Sequence, residues 1–122
     1  MIFLITNLRV VKHIENSIIE LVNQSLNNIK KIAIITHYNP DGDAIGSSLA
    51  LYHYLVKKEY EVSIIIPNRT PQFLQWLPGN DKIHVFDSAP VESKTLINEA
   101  ELIFFLDFNV LDRTQGMEKY LK

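Results

Sequence analysis

His37, Asp41 and Asp43 fall within one seven-residue loop and together offer an imidazole nitrogen and two carboxylates. A mixed nitrogen and oxygen donor set suits first-row divalent ions such as Mn²⁺, Fe²⁺ or Zn²⁺. It suits Mg²⁺ less well, because Mg²⁺ prefers oxygen ligands and keeps its waters. Gly42 gives the backbone freedom to turn between the two aspartates, and Pro40 fixes the approach to them. Gly46, Ser47 and Ser48 follow at the start of an expected helix, whose first-turn N–H groups attract anions. A cation cradle beside a helix N-terminus can hold a phosphate. The plainer reading is a tight turn before a helix, with Asp43 only capping it. A calcium EF-hand loop does not fit: counted from Asp41, position 12 is Tyr52 instead of glutamate. Asp107, which closes the apolar run Leu102-Ile103-Phe104-Phe105-Leu106, is a fourth carboxylate in a position to join the loop.

The elements around these residues decide whether they meet. Ile14, Ile18, Leu21, Val22, Ser25 and Ile29 recur at helical spacing, which predicts an amphipathic helix closed by Lys30 and Lys31. Ile32-Ala33-Ile34-Ile35-Thr36 is apolar on both faces, the pattern of a parallel strand covered by helices on each side. A second helix is expected from about Ala44 to Lys57 and Lys58, with Ile45, Leu49, Tyr52, Leu55 and Val56 as its buried stripe. Further strands are expected at Val62–Ile66, Ile83–Phe86 and Leu102–Leu106. Between them lie a short helical turn within Asn68–Asp81 and a short helix within Ser88–Ala100; a last helix is expected from about Gln115. Met1–Ile5 reads as an ordinary start or a frayed extension, too short for a signal-peptide core or a membrane span.

Strands alternating with helices predict an open α/β domain with a mainly parallel sheet and helices on both faces. Functional groups in such folds gather beyond the carboxyl ends of the strands. His37, Asp41, Asp43 and Asp107 all belong there. Other candidates carry plainer readings. His53 reads as a packing or surface residue, and His13 and His84 have no carboxylate nearby in sequence. Phe73, Leu74, Trp76 and Leu77 read as core or interface before they read as a base-stacking platform.

The 122 residues are 47% hydrophobic, 10% aromatic and 21% charged, enough for one domain with a real core. A net charge of −2 gives no bulk attraction to nucleic acid or anionic membrane, so long duplexes are disfavoured as ligands. The chain has no cysteine, which excludes disulfides, thiol catalysis and thiolate metal sites and fits a cytoplasmic location.

The run His37-Tyr38-Asn39-Pro40-Asp41-Gly42-Asp43-Ala44-Ile45-Gly46-Ser47 closely resembles the first signature of the DHH phosphoesterases. Leu102 to Asp107 resembles their second signature, so the likeness runs from about Lys30 to Arg113. The family includes RecJ-type nucleases, oligoribonucleases that also dephosphorylate adenosine 3′,5′-bisphosphate, cyclic dinucleotide phosphodiesterases and exopolyphosphatases. The Asn-Pro-Asp-Gly-Asp loop is most similar to the oligoribonuclease and bisphosphate-phosphatase group. The resemblance implies a truncated DHH-type N-terminal domain over residues 1–122, with an N-terminal helical segment at 1–30, both signatures at 31–113 and no C-terminal substrate domain.

The resemblance also implies roles. His37 and Asp41 would bind one Mn²⁺, Asp43 a second, and Asp107 would bridge the two, with Mg²⁺ as a substitute. Asp43 and Asp107 would carry the catalysis. Two such ions about 3.5–4 Å apart activate water and neutralise charge on the phosphoryl group. Asn39 would brace the loop or touch the bridging solvent, and Arg113 would contact phosphate or tie the structure. The implied substrates are short RNA or DNA oligonucleotides or nucleotide phosphates, with no membrane partner; an unfinished sheet edge makes a homodimer conceivable.

The sequence departs from the family at its namesake: it has no Asp-His-His and no two adjacent histidines. Metal binding without efficient hydrolysis is the expectation for these residues alone. A non-catalytic module that binds metal or a partner is the competing class. A haloacid-dehalogenase-type site is disfavoured, because Asn109 stands two residues after Asp107 where a second aspartate is needed.

Overall fold

The computed structural model describes residues 14–121 and the backbone of Ile2–Ile5. Five parallel strands form one sheet: β1 (Ile2–Ile5), β2 (Lys31–Ile35), β3 (Glu61–Ile66), β4 (Ile83–Val85) and β5 (Leu102–Leu106). The helices are α1 (Asn16–Leu26), α2 (Gly42–Lys57) and α3 (Pro90–Glu99), joined by 3-10 turns at Gln72–Leu74, Asn80–Lys82 and Leu111–Tyr120. The α/β class, the parallel sheet and the helical layers agree with the sequence reading.

The β2 run is apolar on both faces because both faces are buried. Ile32 and Ile34 point into a core shared with Ile45, Leu49 and Leu55 of α2, and with Ile64, Ile66, Leu102, Phe104 and Leu106. Ala33 and Ile35 point the other way, to Ile65, Phe105, Ile97 of α3, Phe86, Phe108, Met117 and Leu121. Burying each such Ile or Leu contributes about 1.5–3 kcal/mol of transfer free energy. The sheet therefore has a fixed register on each side, and slipping a strand by one residue would exchange the two cores.

Strand order is β1-β5-β2-β3-β4. From β2 the chain steps outward to β3 and β4, then returns to place β5 on the other side of β2. α2 covers one face of the sheet on the way out and α3 the other on the way back, so the carboxyl ends of β2 and β5 lie side by side. His37 and Asp107 stand at those two ends.

Several boundaries differ from expectation. Ile2–Ile5 forms a strand beside β5, pairing Ile2 with Ile103 and Ile5 with Leu106, where an ordinary start or a frayed extension was expected; four consecutive apolar residues are enough for an edge position. Lys30 and Lys31 do not close α1, which ends at Leu26; Lys31 begins β2 instead. The buried stripe of α2 omits Val56, which is 43% exposed while Leu55 is 1% exposed, because adjacent helical positions lie about 100° apart around the axis. The expected last helix is a 3-10 stretch broken at Gln115, whose φ of 51° and ψ of −124° are not helical. Two short turns therefore replace one helix.

The Phe73–Leu77 segment divides between two environments. Leu74 and Leu77 pack against the α2 core, while Phe73 and Trp76 are 72% and 75% exposed. The Gln75 and Leu77 N–H groups bond the Gln72 and Leu74 carbonyls, and such successive i→i+3 turns set residues three apart on one side. His53 is a packing residue as expected: its Nε2 meets the Pro78 carbonyl at 2.8 Å. His84 does have carboxylate company, with its Nδ1 3.2 Å from Glu92 Oε1 of α3. His13 lies outside the described residues.

Candidate metal centre

Thr36 is buried just past the end of β2, and its hydroxyl donates to the Leu106 carbonyl at 2.9 Å. The next residue on each strand carries a candidate ligand. His37 is 5% exposed, and its Nε2 lies 3.4 Å from Asp107 Oδ2 and 3.9 Å from Asp41 Oδ1. One ligand atom from each of His37, Asp41 and Asp107 falls within 4.8 Å of the others.

The other ring nitrogen, Nδ1, is 2.9 Å from the Tyr38 carbonyl. A carbonyl can only accept, so this contact favours the tautomer with the proton on Nδ1 and leaves the Nε2 lone pair facing the carboxylates. A histidine held through its far N–H by a backbone carbonyl is the usual arrangement around protein-bound metals.

The loop that carries these residues turns at Asn39, not at Gly42. Asn39 has φ 53°, a left-handed conformation that asparagine tolerates better than most residues. Gly42 is already inside α2, where no such freedom is needed. Asp41 caps the helix: its Oδ1 accepts from the Ala44 N–H at 3.0 Å. That N–H holds the Asp41 carboxyl below the usual carboxylate range, with His37 and the Asp43 N–H adding to the effect. The capping role considered for Asp43 thus belongs to Asp41, which also faces the metal position.

Asp107 has φ 65°, also left-handed, at the end of β5. Backbone strain of this kind concentrates at functional sites. Burial pushes its carboxyl up from the usual range; the Asp41 and Asp43 charges raise it further, and His37 opposes them. Two carboxylates crowded beside a histidine lone pair form a charge arrangement that a divalent cation would relieve, so the donor set fits such an ion.

Asp43 sits in the exposed first turn of α2 and is not part of the three-residue cluster, although its charge reaches Asp107. Asn39 touches Asn68 of the connection after β3 through two hydrogen bonds. Arg113 is exposed; its main-chain carbonyl accepts from the Tyr38 N–H at 2.7 Å and ties the loop to the segment after β5. Asn68 and Thr36 escaped the sequence reading. For Thr36 a hydroxyl closing a β-branched run was the available signal, whereas nothing in sequence pairs Asn68 with Asn39.

The fold and this cluster define a parallel α/β domain with three side chains that could hold a cation at the carboxyl ends of β2 and β5. Residues 31–122 match the DHH family, N-terminal domain, and the chain belongs to that family. It is 45% identical over 64 residues to the bifunctional oligoribonuclease and PAP phosphatase NrnA of Thermus thermophilus, a match covering 50% of this chain and 17% of that protein. It is also similar to the crystal structure of an exopolyphosphatase-related protein from Bacteroides fragilis, with a TM-score of 0.87 and 41% identity. That match covers 90% of this chain and 32% of the other. The chain thus spans less than a third of the length of each. Among the described residues, no helix is long and apolar enough to cross a membrane.

Proposed function

We propose that this chain is the metal-binding part of a DHH-type phosphoesterase that hydrolyses phosphate esters of short oligonucleotides or of nucleotides such as adenosine 3′,5′-bisphosphate. The observation that carries the reading is the convergence of His37, Asp41 and Asp107 within 4.8 Å at the carboxyl ends of β2 and β5. His37 Nε2, Asp41 and Asp107 would hold the first ion, Mn²⁺ by preference, with Asp107 extending towards a second ion on the Asp43 side. A divalent ion bound there supplies Lewis-acid stabilisation to a phosphoryl group and lowers the pKa of its water. The residues themselves orient the ion, keep His37 in one tautomer and present the start of α2 to an anion. Asn39 serves as a brace of the loop, and Arg113 serves through its carbonyl.

The choice of nucleotide substrates is supported by the similarity to the Thermus thermophilus enzyme, and an exopolyphosphatase-like activity by the similarity to the Bacteroides fragilis protein. Cyclic dinucleotide hydrolysis and a non-catalytic metal-binding role are the remaining alternatives. Asp-His-His does not occur in the sequence. We therefore expect these 122 residues alone to bind the ion but turn substrate over slowly.

Calorimetric titration with Mn²⁺ tests the reading, comparing the parent chain with the double variant Asp41→Ala, Asp107→Ala. About one ion per parent chain and none in the variant is expected from a single three-ligand site. Equal binding by both would sink the site assignment. Assays of adenosine 3′,5′-bisphosphate, a dinucleotide and polyphosphate with Mn²⁺ then rank the substrate classes, and failure to favour either nucleotide over polyphosphate overturns the nucleotide choice.

A further inference from the structure

We propose that Asn68 is a positioning residue for the metal centre, clasping the loop between His37 and Asp41 so that both face Asp107. The inference rests on reading those three residues as metal ligands. Asn39 stands midway between His37 and Asp41 at the left-handed turn of the loop. Its main-chain N–H donates to Asn68 Oδ1 at 2.7 Å, and Asn68 Nδ2 donates back to Asn39 Oδ1 at 2.8 Å. Two bonds between the same pair fix orientation as well as position, where one would leave the loop free to pivot.

The residue that makes this clasp is itself anchored. Asn68 follows β3 by two positions, after a buried Pro67 whose carbonyl accepts from the Asp87 N–H at 3.0 Å. On its other flank the loop is held by the Tyr38 N–H on the Arg113 carbonyl. The loop is therefore held between the connection after β3 and the segment after β5, with one ligand on each side of the clasp.

Asn39 is exposed and Asn68 half-buried, so both bonds exchange readily with water. Such bonds contribute little to global stability. Their effect belongs in the placement of the ligands, much as outer partners of metal ligands tune affinity about 10–100-fold.

The test is Mn²⁺ calorimetry together with metal-free thermal unfolding, on the parent chain and on Asn68→Ala, Asn68→Asp and His53→Ala. Asn68→Ala is expected to weaken Mn²⁺ binding about tenfold or more while unfolding near the parent temperature. Asn68→Asp is expected to restore binding. Its carboxylate accepts the Asn39 N–H and, once the Asn39 amide turns over, its Nδ2 as well. His53→Ala removes a comparable exposed bond, to the Pro78 carbonyl, in the same β3–β4 connection, and should leave both the unfolding temperature and the Mn²⁺ affinity near the parent's. Parent-like affinity in Asn68→Ala overturns the proposal, as does an equal loss in His53→Ala, which would make affinity answer to any bond lost in that connection. A parent chain that binds no Mn²⁺ overturns the metal reading itself and the positioning role with it.

Discussion

The Thr36 hydroxyl and the Leu106 carbonyl are bonded across β2 and β5 one residue before His37 on the first strand and one before Asp107 on the second. This buried bond sets the spacing of the two strand ends at the point where the ladder stops, so the separation of the two candidate ligands is inherited from it. Thr36→Val keeps the shape but removes this buried bond to the Leu106 carbonyl. It is expected to cost about 1–3 kcal/mol in denaturant unfolding, and to weaken Mn²⁺ binding as the strand ends part.

Asp41 caps α2, and the ligand role proposed for it can be separated from that cap. Asp41→Asn retains an oxygen to accept from the Ala44 N–H, so the start of α2 should survive with unfolding close to the parent. Asp41→Ala should lose about 1 kcal/mol through the missing cap. Both should bind Mn²⁺ far more weakly. Calorimetry and thermal unfolding on the two variants make the comparison, and unchanged affinity in Asp41→Asn would remove Asp41 from the ligand set.

Asp107 has its carboxyl pushed upward by burial and by the Asp41 and Asp43 charges. For an acid this means the folded chain holds the proton more tightly than the unfolded one. In the absence of metal, its contribution to stability therefore falls as pH rises through the usual carboxylate range and up to its raised value. Asp107→Asn removes that repulsion and tolerates the left-handed backbone. The variant should unfold at or above the parent temperature without metal at pH 7, and below it once Mn²⁺ is added to both. A variant less stable than the parent under both conditions would contradict this account.

Glu101 titrates with the opposite sign. Its carboxylate accepts from the Lys31 and Lys30 N–H groups, at 2.8 and 2.7 Å, at the start of β2, which holds it below the usual range. Its contribution is present above the ordinary glutamate pKa and is lost as pH falls through the lowered value. Glu101→Gln is therefore expected to unfold earlier than the parent at pH 7, and the gap should close in acid. Thermal melts from pH 7 down to about pH 2.5, below the usual carboxylate range, measure this directly.

The sequence carried the parts of this fold that local chemistry determines. β2 and β5 are apolar on both faces, and that alone places them inside a parallel sheet. The Asn-Pro-Asp-Gly-Asp run announces a turn feeding a helix. His37, Asp41 and Asp107 could be nominated because strand ends in such sheets converge. What stayed hidden depends on contacts between distant residues. Asn39 turns the loop because Asn68 and Arg113 hold its flanks, so the local appeal of Gly42 misleads. Asp41 displaces Asp43 as the cap because α2 begins two residues earlier than its apolar stripe suggests. Gln115 breaks the last helix within a segment whose Thr114 and Met117 are buried, a constraint that no periodicity reveals.

The double role proposed for Asp41 bears on how members of such a lineage can drift. A single change to asparagine would discard the charge that a cation needs and keep the oxygen that starts the helix, leaving the architecture nearly untouched. Descendants that have abandoned the reaction can therefore go on looking like their working relatives. At this position one carboxylate oxygen in place of an amide nitrogen says more about occupation than any superposition of backbones.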